Sequence, residues 1–185
     1  MKKLSVLLVF ILLLGGCSGR QEALERAMAL RAKLLASTCS FEAKVTADYG
    51  DKLYVFELAC EADTGGNLTF QVNQPESISG ITGVISKDGG KLTFDDTALA
   101  FPLMADDQLT PVSAPWILLK TLRGGYLTST NMEGELLHLT IDDSYEADAL
   151  QLDIWLNDGN QPIQADILYD GRRILTLEVR DFTLQ

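Results

Sequence analysis

From Cys39 onward the chain alternates hydrophobic and polar positions in short runs separated by turn residues. In 39–47 (CSFEAKVTA) and 52–60 (KLYVFELAC) every second side chain is apolar or small, the period of a β-strand with one face in a core. With Tyr49-Gly50 as a two-residue turn, Cys39 faces Cys60, Phe41 faces Leu58, Ala43 faces Phe56 and Val45 faces Tyr54. Further runs at 67–73, 80–86 and 91–94 are divided by Thr64-Gly65-Gly66, Gln74-Pro75-Glu76 and Asp88-Gly89-Gly90. The apolar run 98–104 carries Pro102, so it is an edge strand or none. Strands resume at 126–130, 135–141, 150–157, 161–168 and 173–183. Asp158-Gly159 as a turn sets Ile154 against Ile163, Leu152 against Ala165 and Leu150 against Ile167. A loop at 170–172 then sets Ile167 against Leu175, Ala165 against Leu177 and Ile163 against Val179. One face of these three strands is apolar, and Trp155 is the exception that points to the polar face with Gln151 and Asp153.

Two stretches follow a helical period instead. In 21–36, Leu24, Ala27 or Met28, Arg31 or Ala32, and Leu35 trace a stripe at spacings of three and four, with Glu22 and Arg26 as an exposed pair. In 111–123, Ser113 is placed to cap a helix, Pro115 suits its first turn and Gly124-Gly125 ends it. Trp116, Ile117, Leu118, Leu119 and Leu122 cover more than one side of that helix. It is either a lid over an apolar ligand, with Trp116, Leu119 and Leu122 facing it, or the completion of an ordinary core. A helix, a run of strands, an inserted helix and more strands make an α+β fold, an antiparallel meander with one covered face.

The first residues are of another kind. Lys2 and Lys3 precede an apolar run, Leu4 to Leu14, too short to span a bilayer, which takes about 20 residues. Leu14-Gly15-Gly16-Cys17 ends it and resembles the bacterial lipobox. The resemblance implies that residues 1–16 are a removed signal peptide and that Cys17 is diacylated. It leaves 17–20 as a lipidated tether and 21–185 as one domain on the extracytoplasmic face of a cell membrane. Two acyl chains bury enough methylenes, at about 0.8 kcal/mol each, for stable anchoring. The chain has 15 Lys and Arg against 26 Asp and Glu, a net charge of −11, and loses two of its lysines with the leader. Such a surface repels nucleic acid and anionic lipid head groups, so no nucleic-acid partner is expected.

Little in the chain carries catalytic chemistry. Cys39 and Cys60 are open to two readings, a disulfide in an oxidising compartment or two buried thiols. There is no Cys-x-x-Cys, and His138 is the single histidine, on the strand face of Leu136 and Thr140. It has no cysteine or histidine partner at zinc-ligand spacing. Asp95-Asp96, Asp106-Asp107 and Asp142-Asp143 lack the alternation of a calcium loop and read as solvated turns. No nucleophile elbow or phosphate-binding loop is present. No metal, cofactor or enzymatic activity is expected.

The lipobox, the N-terminal helix, the long meander and the inserted helix together resemble the lipoprotein-localisation (LolA/LolB-like) family. Its matching stretches run from Val72-Asn73-Gln74-Pro75 through Gly80 to Lys91-Leu92-Thr93-Phe94, and from Leu152 to Leu184. The resemblance implies a half-open antiparallel β-barrel whose concave face is covered by helices around a cavity for acyl chains. The expected cavity walls are Phe56, Leu58 and Phe70 on the early strands, Trp116, Leu119 and Leu122 on the helix, and Ile154 and Ile167 on the late strands. That family's cavity arginine matches no single position, with Lys44, Lys91, Lys120 and Arg123 equally placed. A germination lipoprotein of spore-formers is similar to this fold and binds a cell-wall amidase. The resemblance therefore implies either a lipid or acyl ligand, or an envelope or spore-wall protein as partner, with Trp155 in such an interface.

Overall fold

A computed structural model describes residues 18–94, 97–101, 104–105, 108–146 and 149–185. Cys17, the leader, Asp95-Asp96, Pro102 and Asp106-Asp107 lie outside the described residues. Helix α1 (Ser18–Ala36) leads into β1 (Cys39–Asp48), β2 (Leu53–Ala62), β3 (Leu68–Gln74), β4 (Thr82–Ser86), β5 (Gly89–Phe94) and β6 (Thr97–Phe101). The short pair β7 (Met104–Ala105) and β8 (Gln108–Leu109) precedes α2 (Ala114–Gly124). Strands β9 (Tyr126–Glu133), β10 (Leu136–Asp142), β11 (Gln151–Leu156), β12 (Pro162–Tyr169) and β13 (Arg172–Leu184) complete the chain. Helix α1 starts three residues earlier than the sequence suggested, inside the expected tether.

All of the large strands form one open antiparallel sheet of 11, in the order β6-β5-β4-β3-β2-β1-β13-β12-β11-β10-β9. Two meanders, β1–β6 and β9–β13, are joined by the pairing of β1 with β13. Helix α2 is the insertion between them. The edge placement allowed for the run after residue 97 holds, because β6 ends the sheet.

The strand faces follow the alternation, but two registers differ from expectation. β1 and β2 pair Cys39 with Ala62, Phe41 with Cys60, Ala43 with Leu58 and Val45 with Phe56. The turn takes four residues instead of two: Tyr49 N–H donates to Lys52 O (3.0 Å), and Gly50 N–H to Asp48 Oδ1 (2.8 Å). Cys39 and Cys60 are therefore offset by two positions, and both are buried free thiols. β11 and β12 likewise slip by two, pairing Leu152 with Ile167 and Ile154 with Ala165, because Asn157 and Gln161 close a longer turn. A slip of two keeps every side chain on its face. β12 and β13 pair as expected, Ala165 with Leu177 and Ile167 with Leu175.

One apolar cluster runs from Ala23 to Phe182 and joins the inner face of the sheet to both helices. All of it lies within 18–185. The interruption of β4 by Gly83 has a packing cause. A Cβ there would come within 2.5 Å of the Phe70 ring, which lies against the glycine.

The α1 stripe is rotated from the expected one. Ala23, Ala27, Leu30 and Leu34 are buried, while Leu24, Met28 and Leu35 are about half exposed. Arg26 does not pair with Glu22. It donates to Asn160 Oδ1 (2.7 Å) and Asn157 O (3.1 Å) in the β11–β12 turn. The two helices cap each other's C-terminal ends. Arg31 of α1 donates to Leu122 O and Gly125 O, both at 2.8 Å, and Arg123 of α2 donates to Leu34 O at 3.0 Å. A guanidinium at a helix C-terminus satisfies orphan carbonyls and opposes the negative dipole end. Ser113 makes no cap bond to α2, since its hydroxyl donates to Thr110 O (2.6 Å).

Candidate functional site

Trp116, Leu119, Lys120 and Arg123 recur at spacings that put them on one side of α2. That side borders a cleft of about 380 Å³. The other walls are Leu35 at the end of α1, Ala62, Gly65, Gly66, Asn67 and Leu68 around the β2–β3 turn, and Ser86, Lys87 and Asp88 before β5. The volume is near the lower end of the range for small-molecule sites, about 300–1,000 Å³.

Each wall is held by a definite local structure. The β2–β3 turn is tied by Asp63, whose carboxylate accepts from Asn67 N–H (2.9 Å) and from the Asn67 side chain (2.8 Å). Those bonds, the side-chain one first, hold the Asp63 carboxyl below the ordinary value. The turn presents Gly66 O, which accepts the Trp116 indole N–H at 2.9 Å. Trp116 is thereby fixed with its polar edge satisfied and its ring against the cleft. Lys120 pairs with Asp143 Oδ2 (3.1 Å) and lies 5.7 Å from the Trp116 ring centre, within cation–π range. Arg123 Nη2 is buried and has no hydrogen-bond partner among the described residues.

Of the eight expected cavity residues, Trp116 and Leu119 line this cleft. Leu58, Ile154 and Ile167 are at most 1% exposed. They have no free surface toward solvent or toward an internal void large enough for water, so the sheet interior around them is filled by packing. Leu122 is buried in the same cluster, and Phe56 packs half-buried against it. Phe70 borders a different groove, about 490 Å³, among the polar residues Ser40, Glu42, Thr69 and Gln71. Sequence reasoning did not mark Lys87, Leu68 or Leu35. The available signal was the i, i+4, i+7 spacing of Trp116, Lys120 and Arg123 on one helix side.

On the opposite sheet face Trp155 and His138 belong together. Their rings stack at 4.6 Å between centres and 4° between planes. His138 Nδ1 is 2.8 Å from Glu133 Oε1, and Nε2 is 3.2 Å from Asp153 Oδ1. Trp155 Nε1–H donates to Glu133 Oε2 at 2.8 Å. The misfit tryptophan is thus one part of a polar network across β9, β10 and β11. Burial raises the pKa of both thiols, Cys60 strongly, while the nearby Arg123 charge works the other way at Cys39. Raised thiols are weak nucleophiles at neutral pH.

No protein-family model matches the chain, and no curated protein matches it. Solved structures do. An uncharacterized conserved protein from Thermus thermophilus is 14% identical, with 91% of this chain and 88% of that chain aligned and a TM-score of 0.48. A putative outer membrane lipoprotein-sorting protein domain from Vibrio parahaemolyticus is 8% identical over 90% of this chain and 93% of that one, with a TM-score of 0.47. A LolA superfamily protein from Nitrosomonas europaea is 11% identical over 86% and 93%, with a TM-score of 0.42. At such identities and scores no residue role transfers.

Proposed function

We propose that this protein is a non-catalytic extracytoplasmic lipoprotein, anchored through Cys17, that binds a lipid or acyl ligand in the cleft beside α2. In this reading α2 covers the concave face of the sheet with one side and walls the ligand site with the other. The observation that carries it is the cleft itself. Leu35 and Trp116, with smaller contributions from Ala62 and Leu119, give it an apolar lining, although the sheet interior is closed. Apolar surface left in a concavity of this size is where a hydrophobic ligand gains most from leaving water.

A second reading, a module that binds an envelope or spore-wall protein, is favoured by the sheet edge. Phe94 and Leu99 on β5 and β6 are 58% and 66% exposed, beside an edge strand whose outer side has no pairing partner among the described residues. Such an edge is suited to strand addition by a partner.

One experiment separates the two. Residues 18–185 hold the whole apolar cluster and are purified without detergent, offered decanoate, and measured by native mass spectrometry. The cleft reading expects one retained molecule, lost in Leu35→Glu, a change at a half-exposed residue that leaves the circular dichroism spectrum unchanged. No retention, with an envelope protein captured by the wild type and not by Leu99→Lys, would replace it with the second reading.

A further inference from the structure

We infer that the ligand of this cleft is a single-chain amphiphile with an anionic head, a carboxylate or a phosphate; this rests on the cleft reading above. The argument is one of charge placement. The chain as a whole has 26 acidic residues against 15 basic ones. The cleft reverses that balance: Lys87, Lys120 and Arg123 line it, with Asp88 as the one carboxylate among its walls.

Two of those cations have no carboxylate partner among the described residues. Lys87 is exposed in the turn before β5 and makes no ion pair there. Arg123 spends its Nε–H on Leu34 O, and its Nη2 stays buried without an acceptor. With neither cation ion-paired, the cleft they line favours an anion. Lys120 is already bound to Asp143 and contributes mainly as a wall over Trp116. The apolar residues Leu35, Trp116 and Leu119 are left to hold the chain. The sign of the head group follows from the cations, and its attachment to an aliphatic tail follows from the remaining wall.

The test is a titration of residues 18–185 carrying Trp155→Phe, so that Trp116 is the one tryptophan, followed by fluorescence and by calorimetry at concentrations where the probes are monomeric. The probes share a ten-carbon chain: decanoate, decyl phosphate, decanol and decyltrimethylammonium. Both anions, or one of them, are expected to bind at least tenfold more tightly than decanol at low salt. Preference for one anion identifies the head as carboxylate or phosphate. Lys87→Glu is expected to reduce anion affinity at least threefold and leave decanol unchanged; its place in an exposed turn keeps the fold out of the comparison. Equal binding of all four probes, or preference for the cation, would overturn the head-group inference while leaving the cleft reading intact. Binding of none would overturn both.

Discussion

At the scale of single residues, the Trp116 wall of the cleft is held through Asp63, which is not itself in the lining. Its two bonds to Asn67 fix the turn whose Gly66 carbonyl holds the Trp116 indole. Asp63→Ala is expected to cost about 1 kcal/mol in urea unfolding and to shift the Trp116 emission. The carboxyl is depressed in the folded chain, so its contribution is present above the unfolded value and lost as pH falls through the folded one. The difference between wild type and Asp63→Ala should therefore close only below about pH 4. Unchanged stability at pH 7 would show that the turn holds without it. Much at this scale was hidden in the sequence. Trp155 looked misplaced because its partners, His138 and Glu133, come from two other strands. Cys39 and Cys60 looked opposed because a two-residue turn and a four-residue turn give the same faces and differ only in register.

Among elements, the strands were legible and the helices less so. A strand announces its inner face by strict alternation, and β1, β10 and β11 keep it. In α1 apolar residues sit all around the axis, so a stripe of large residues competes with one that is half alanine. The alanine side wins, because Ala23 and Ala27 let the helix approach its neighbours closely while Leu24 and Met28 stay outside. Arg31 then caps α2 and Arg123 caps α1, an exchange no local pattern encodes. Arg31→Met keeps the aliphatic stem and removes two charge-assisted bonds. It is expected to lower stability by about 2 kcal/mol and the Tm by several degrees. A variant as stable as wild type would mean that the helices are held by apolar packing alone.

For the molecule as a whole, the sequence supplied the α+β class and the meander, whereas the cavity walls expected on the late strands are packed in the interior. Ile154 and Ile167 were expected to line the cavity because they face inward on the late strands. Inward residues line a cavity only if the helices stand away from the sheet, and here both helices and the sheet share one packed cluster. The unfilled apolar volume moves to the rim, where turns of the early meander meet α2. Turns are the part of a chain whose spatial neighbours alternation says least about.

The most direct measurement is therefore one of position. Intermolecular NOEs between decanoate protons and assigned side chains of residues 18–185 report where the chain lies. The rim-cleft account predicts contacts to the Trp116 indole and the Leu35 and Leu119 methyls, and none to Ile154 or Ile167. Contacts to Ile154 and Ile167 would contradict it, since they require the packed interior to open around the ligand.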